Sequence, residues 1–362
     1  MDRIKRASRW VSVLLVALVT MEVCARIDDW YVYDAPLLGD YSIDNLYYRD
    51  ELGRWGKPNA RFEKWRLNDV GLRGADFSPD SFRIAIVGSS ETFGLYESED
   101  REYPRLLEQQ LRKACRGRVD VASVAFPGLH PQTVLRRLDW IERNVHPVVA
   151  VVYLPPANYA EVEVIAEEAF VPDGSRQAAF RQRFLEALPQ FRIVGRGRAL
   201  LKRHVPTEFV HLYHEWRIRQ AVAGSSASDD VPEKRLTRMR EDLVTLVRRL
   251  QSREVTVVLV THASRFGQTL TADDRYWLTG WRIFYPSISE EGILRLERRG
   301  NELIRSVAQS EGVRLIDAAA KLDGRSEYFA DFTHFTDVGA AAMAEALAPG
   351  LAKALPRSAR CR

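Results

Sequence analysis

Five short, continuous apolar runs punctuate the chain from residue 83 onward: RIAIVG at 83–88, VDVASVAF at 119–126, VVAVVYL at 148–154, EVTVVLVT at 254–261 and VRLIDA at 313–318. Each is rich in Val and Ile and lacks strict polar alternation, which predicts strands covered on both faces, as in a parallel sheet. Between and after them, apolar residues return at helical spacing over 103–115, 131–145, 233–251, 290–312 and 337–355. Strand and helix alternating five times predicts an α/β fold: a doubly wound, three-layer α/β/α sandwich around a five-stranded, mostly parallel sheet.

Two stretches depart from this rhythm. Residues 26–80 are rich in aromatics, broken by Gly and Pro and without sustained period; they predict an irregular lead-in packed on the main domain of 81–356. Residues 160–232 separate the third and fourth strands by more than an ordinary crossover, so they predict a helical insertion, with helical patterns at 161–169, 177–188 and 208–222.

The amino terminus changes the picture of where the domain works. Arg3, Lys5, Arg6 and Arg9 precede the apolar VSVLLVALVTM, with Glu22 and the small residues of VCA behind it. Basic first and apolar second is the order of a signal sequence or an amino-terminal membrane anchor over 1–25. Two outcomes follow: an extracytoplasmic domain tethered to the membrane, or an exported soluble one cut after Ala25. Net charge is slight, 53 Lys and Arg against 49 Asp and Glu, and the basic residues are scattered, so nucleic acid is not an expected partner. Cys24, Cys115 and Cys361 have no metal-ligand spacing; free thiols are the expectation, with pairing of Cys115 and Cys361 in an oxidising compartment as the alternative.

Candidate chemistry gathers at strand ends, where open parallel sheets bind ligands. The first strand runs into GSSETFG at 88–94. A phosphate loop would need a Lys after the second glycine, a dinucleotide site G-x-G-x-x-G, and a nucleophile elbow G-x-S-x-G; none is present. A serine of another kind remains, and a serine nucleophile needs a base and a group to orient that base. DFTHFTDVG at 331–339 offers Asp331 and His334 three residues apart, ahead of a helix. On a tight turn the carboxylate would hold Nδ1 and leave Nε2 for the crevice.

Together these segments closely resemble the SGNH (GDSL-type) hydrolases, over roughly residues 66–352. GSSETFG matches the first block of that family, with Ser90 as nucleophile and Ser89 in place of the Asp of the family name. AFPGLHPQT matches the second and YLPPANYA the third, although Pro156 and Tyr159 replace the usual Gly and Asp around the asparagine. DFTHFTDVG matches the last block. The resemblance implies a Ser90–His334–Asp331 triad, an oxyanion hole of the Ser90 and Gly128 N–H groups with the Asn158 amide, and no cofactor or metal. It also implies hydrolysis of O-acyl esters, acetyl among them, on a carbohydrate or other envelope substrate. An O-acyltransferase modifying an exported polysaccharide and a catalytically silent carbohydrate-binding or scaffold protein are the alternatives.

Plainer readings stand beside these. Ser90 as a helix cap, Gly128 as a turn former, Asn158 bonded to its own loop, His334 as a turn histidine and Asp331 satisfying local N–H groups are all compatible with the sequence. His211 and His214, with His204 upstream, lack a carboxylate or cysteine partner for a metal and read as a surface helix. His130 closely follows Gly128 and His262 ends the fourth strand, so both can line the crevice. The aromatics Tyr276, Trp277, Trp281, Phe284 and Tyr285 suit either packing beneath the insertion or stacking on a sugar ring.

Overall fold

The computed structural model describes residues 2–159, 191–205, 208–210, 212–213, 215–216, 227–231, 233–285, 287–359 and 361. Helix α1 (Asp2–Tyr33) is long and apolar enough to cross a membrane. Val11, Leu14, Leu15 and Val19 on it are solvent-exposed. The helix does not stop at residue 25 but continues into the lead-in, so Ala25 lies inside a helix and is buried.

Two small antiparallel hairpins follow, β1 (Tyr47–Asp50) with β2 (Gly53–Gly56) and β3 (Arg61–Phe62) with β4 (Trp65–Arg66). They are less irregular than their composition suggests, and they bury Leu46, Trp55 and Leu72 completely. Arg73 closes the lead-in: its guanidinium bonds the Gly94 carbonyl and pairs with Glu102 at 2.9 Å, both partners being buried.

The main domain opens with β5 (Phe82–Gly88), the one-turn helix α2 (Ser90–Phe93), α3 (Tyr103–Ala114) and β6 (Val119–Ala125). Helices α4 (Pro131–Arg136) and α5 (Leu138–Val145) replace the single helix expected over 131–145. The break falls at Arg137, whose guanidinium turns back to Asp50 at 2.5 Å and the Gly53 carbonyl at 3.0 Å. Strand β7 (Val149–Val152) leads into the loop of Pro156–Tyr159. The expected helices at 161–169 and 177–188 lie outside the described residues. Within the insertion stands α6 (Arg192–His204), and 208–216 is helical where described. Then come α7 (Glu233–Gln251), β8 (Thr256–Val260), α8 (Ala272–Arg282), α9 (Glu290–Ser310), β9 (Arg314–Ile316), α10 (Ala319–Leu322) and α11 (Asp337–Ala352).

Strands β5 to β9 form one parallel sheet in the order β6-β5-β7-β8-β9. The pleat divides its side chains between two cores. Ala85, Val87, Ala122, Val124, Ala150, Val152, Val257 and Leu259 meet α4, α5, α7 and α9. Ile84, Ile86, Val119, Val121, Val149, Val151, Val258 and Val260 meet α3 and α11. This is why the runs read as continuously apolar: each residue has a helix layer to face. The strand order reverses around β5, so the crevice beyond its carboxyl end is where a ligand site is expected.

One expectation is overturned. Cys115, at the end of α3, is bonded to Cys361 rather than free. The two lie 246 positions apart, and no local pattern announces a pairing made by the packing of α11 against α3. Cys24 is free and exposed.

Candidate active site

Strand β5 delivers Gly88 and Ser89 to the crevice, and Ser89 has a non-helical backbone (φ −124°, ψ −140°) before α2 begins at Ser90. A side chain at Gly88 would fall on that of Thr92. Thr92 is fully buried and its hydroxyl meets that of Tyr103 at 2.7 Å. The threonine standing where an elbow would have its second glycine therefore pins the turn to α3. Gly94 ends α2 with φ +78°, a left-handed conformation that favours glycine.

The far segment is a tight loop ahead of α11. Asp331 accepts the backbone N–H of Thr333 and of His334, both at 2.9 Å, through Oδ1. Its Oδ2 meets His334 Nδ1 at 2.8 Å. His334 Nε2 is buried and without a hydrogen-bond partner among the described residues. Two contacts bring this loop to β5's end. Asp337 accepts the N–H and hydroxyl of Ser98, each at 2.7 Å. The Thr333 hydroxyl donates to Glu91 Oε1 at 2.9 Å, across 242 positions.

Ser90, Gly128, Asn158 and His334 all line one cavity of about 260 Å³, with Ser89 and Thr333 beside them. Asp331 is buried behind the histidine. Gly128 has φ +74° and, among the described residues, nothing within 4 Å of where a Cβ would stand, so its backbone conformation is what calls for glycine. Asn158 rides on the short turn Pro156–Tyr159, which is held from three sides. The Ala157 N–H donates to Glu297 at 2.9 Å, and the Tyr159 hydroxyl meets Asp242 at 3.1 Å. Pro156 presses on Gly300 of α9, where a side chain would collide with it. The residues that depart from the family pattern around Asn158 are thus the ones that buttress its loop.

Burial lowers the basicity of His334, but the hydrogen bond and charge of Asp331, then the charges of Glu91 and Glu97, outweigh it and raise its pKa above the ordinary 6.5. Burial pushes Asp331 up, and the bond and charge of His334 with the two backbone N–H groups more than reverse it. An imidazole so placed, oriented through Nδ1 and open at Nε2, can take a proton from a hydroxyl in the cavity and return it.

The cavity's far wall is aromatic: Trp281, Phe284, Tyr285 and Phe332. Trp281 stacks on Phe332 with centroids 5.4 Å apart. Of the aromatic group noted in the sequence, Tyr276 and Trp277 do not line the cavity; Trp277 packs under the Arg265 guanidinium at 5.5 Å instead. His130 caps α4, accepting the Gln132 N–H at 3.3 Å, and does not line the cavity. His262 is buried beneath the site rather than in the crevice. His211 and His214 lie outside the described residues, and His204 is exposed. Glu91, Glu297 and Thr333 were not singled out in the sequence. The cue for Glu91 was its place between Ser90 and the apolar Phe93 at the end of a buried strand.

The sequence matches no protein-family model and no curated protein. Among solved structures, the chain is similar to a lipase/acylhydrolase from Enterococcus faecalis at 15% identity and TM-score 0.41, over 75% of this chain and 95% of that one. A GDSL-like lipase from Bacteroides thetaiotaomicron is 11% identical with TM-score 0.39, over 75% and 89% of the two chains. An acetyl xylan esterase is 13% identical with TM-score 0.40, over 75% and 100%. At that distance, function has to be argued from the geometry of this chain.

Proposed function

We propose that the protein is a serine esterase of the SGNH (GDSL) type that hydrolyses O-acyl esters through Ser90, His334 and Asp331. The observation that carries this reading is the His334 ring, bonded to Asp331 at 2.8 Å through Nδ1 while Nε2, without a hydrogen-bond partner among the described residues, stands beside the cavity that Ser90 lines. Ser90 Oγ attacks the ester carbonyl and His334 Nε2 takes its proton. The tetrahedral oxyanion is met by the N–H groups of Ser90 and Gly128 and by the Asn158 amide. Its collapse releases the alcohol, which receives the proton from His334, and leaves an acyl group on Ser90. Water then attacks the acyl carbon, gives its proton to His334, and the carboxylic acid departs as Ser90 regains it. Asp331 keeps the imidazole in one tautomer and stabilises the imidazolium.

The small, aromatic-walled cavity favours a short acyl group, and an aromatic ring face such as that of Phe332 suits the apolar side of a sugar ring. The acyl acceptor in this reading is water and the substrate an envelope carbohydrate ester. The exposed apolar face of α1, its basic start and the Cys115–Cys361 bond support an exported domain held at the membrane.

The test is turnover of p-nitrophenyl acetate and of acetylated oligosaccharide by the full chain in detergent. Hydrolysis that is lost in both Ser90→Ala and His334→Ala is expected. Activity retained in Ser90→Ala would overturn the assignment, and acetate passed to a sugar acceptor in preference to water would make it a transferase.

A further inference from the structure

Beneath the cavity lies a buried charged cluster that the proposed reaction does not use. His262, at the end of β8, is 1% exposed. Its Nδ1 meets Glu297 Oε2 of α9 at 2.6 Å, and its Nε2 stands 3.9 Å from Glu91 Oε1. Asn301, one turn further along α9, grips the same residue by both backbone groups, accepting its N–H at 2.7 Å and donating to its carbonyl at 2.8 Å. Tyr153 stacks on the ring. Two buried carboxylates flanking one imidazole favour its cationic form, which leaves one charge of each sign paired and the second carboxylate dependent on its other bonds.

Those other bonds lead to the site. Glu91 follows Ser90 directly, accepts the Ser89 hydroxyl at 2.5 Å and the Thr333 hydroxyl at 2.9 Å, and so touches both flanks of the triad. Glu297 uses its second oxygen on the Ala157 N–H, next to Asn158. We infer that Glu91, His262 and Glu297 are positioning residues: a buried ionic tie that sets the base loop, the nucleophile turn and the Asn158 loop against one another, with the Glu91 carboxylate also stabilising the charged form of His334. The inference rests on the esterase reading for its consequence in catalysis, but the electrostatic part does not need a reaction.

The titratable groups around His334 are Asp331, Glu91 and Glu97, with the Tyr96 ring 5.3 Å away. Around Glu91 they are His262 and His334, and Asp323 also feels His262. Removing the negative charge at Glu91 makes the His334 imidazolium less favourable, so its titration moves to lower pH. The full chain in detergent, labelled with 15N-histidine, reports this directly. Glu91→Gln is expected to lower the His334 midpoint by on the order of one unit, and the wild-type His262 ring is expected to remain an imidazolium at pH 8. An unmoved His334 midpoint, or a neutral His262 at that pH, overturns the inference.

Thr333→Val cuts the bridge without altering charge and serves if Glu91→Gln does not fold. Its maximal rate of fluorophosphonate labelling is expected to fall ~10-fold while the half-saturating concentration stays the same; an unchanged rate overturns the positioning role. Wild type that shows the histidine titrations but takes no label sinks the esterase reading and leaves the ionic tie standing.

Discussion

At the scale of single residues, the site depends on what each polar group can still do once its neighbours are bonded. Asp331 spends one oxygen on its own loop and the other on His334, so the imidazole is fixed in direction before any substrate arrives. Because the folded pKa of His334 lies above 6.5 and only the neutral ring can act as base, ester hydrolysis should rise with pH through a midpoint above 6.5. A profile of turnover against pH with its acid limb below that value would contradict the assignment. Asn158→Ala should reduce turnover by on the order of 10²-fold with little change in KM, since in the proposed mechanism the amide meets charge that exists only in the transition state. Glu97 gives a different kind of prediction. Burial, the largest influence, raises its pKa to about 7, so the protonated form is favoured by folding. Its contribution to stability is present below the ordinary carboxylate value and is lost as pH rises through 7. Glu97→Gln should therefore melt higher than wild type at pH 8, by on the order of 2 °C, with the gap closing towards pH 5; thermal melts at the two pH values decide it.

At the scale of elements, the strands and the turn that bonds Asp331 to His334 were legible because each is encoded locally. A continuous apolar run means a strand with helices on both sides, and Asp331 and His334 are close enough in sequence to form their own turn. What was not legible depended on partners far along the chain. The helix that periodicity favours over 131–145 is broken at Arg137, whose guanidinium reaches the distant β1–β2 hairpin. Helix α6 has its start tied to α1, where Glu22 accepts the Arg192 and Ile193 N–H groups at 3.2 and 3.1 Å, a relation that neither segment reveals alone. His262, Glu91 and Glu297 each look like an ordinary polar residue until the fold buries them together. The Asn158 loop carries a prediction at this scale. Gly300→Ala would push a methyl into Pro156, costing ~1–3 kcal/mol by overpacking; the melting temperature should fall, and turnover should fall further than for an Ala placed elsewhere on α9.

At the scale of the whole molecule, the sheet order fixes where the chemistry can be. Reversal around β5 opens the crevice, the turn from β5 into α2 supplies Ser90, the loops after β6 and β7 supply Gly128 and Asn158, and the chain after β9 returns with His334. The Cys115–Cys361 bond ties the last residues to α3, which packs against α11. Cys361→Ser should lower stability by about 2–4 kcal/mol through loss of the cross-link, read as a fall in melting temperature that wild type reproduces only when reduced. The relation between Ser90 and His334 is the centre of the account, and active-site labelling tests it most directly. The full chain treated with a fluorophosphonate should carry the adduct on Ser90 by peptide mass spectrometry, and His334→Ala should abolish it while the protein remains folded. An adduct on a different serine, or undiminished labelling of Ser90 without the histidine, would contradict it.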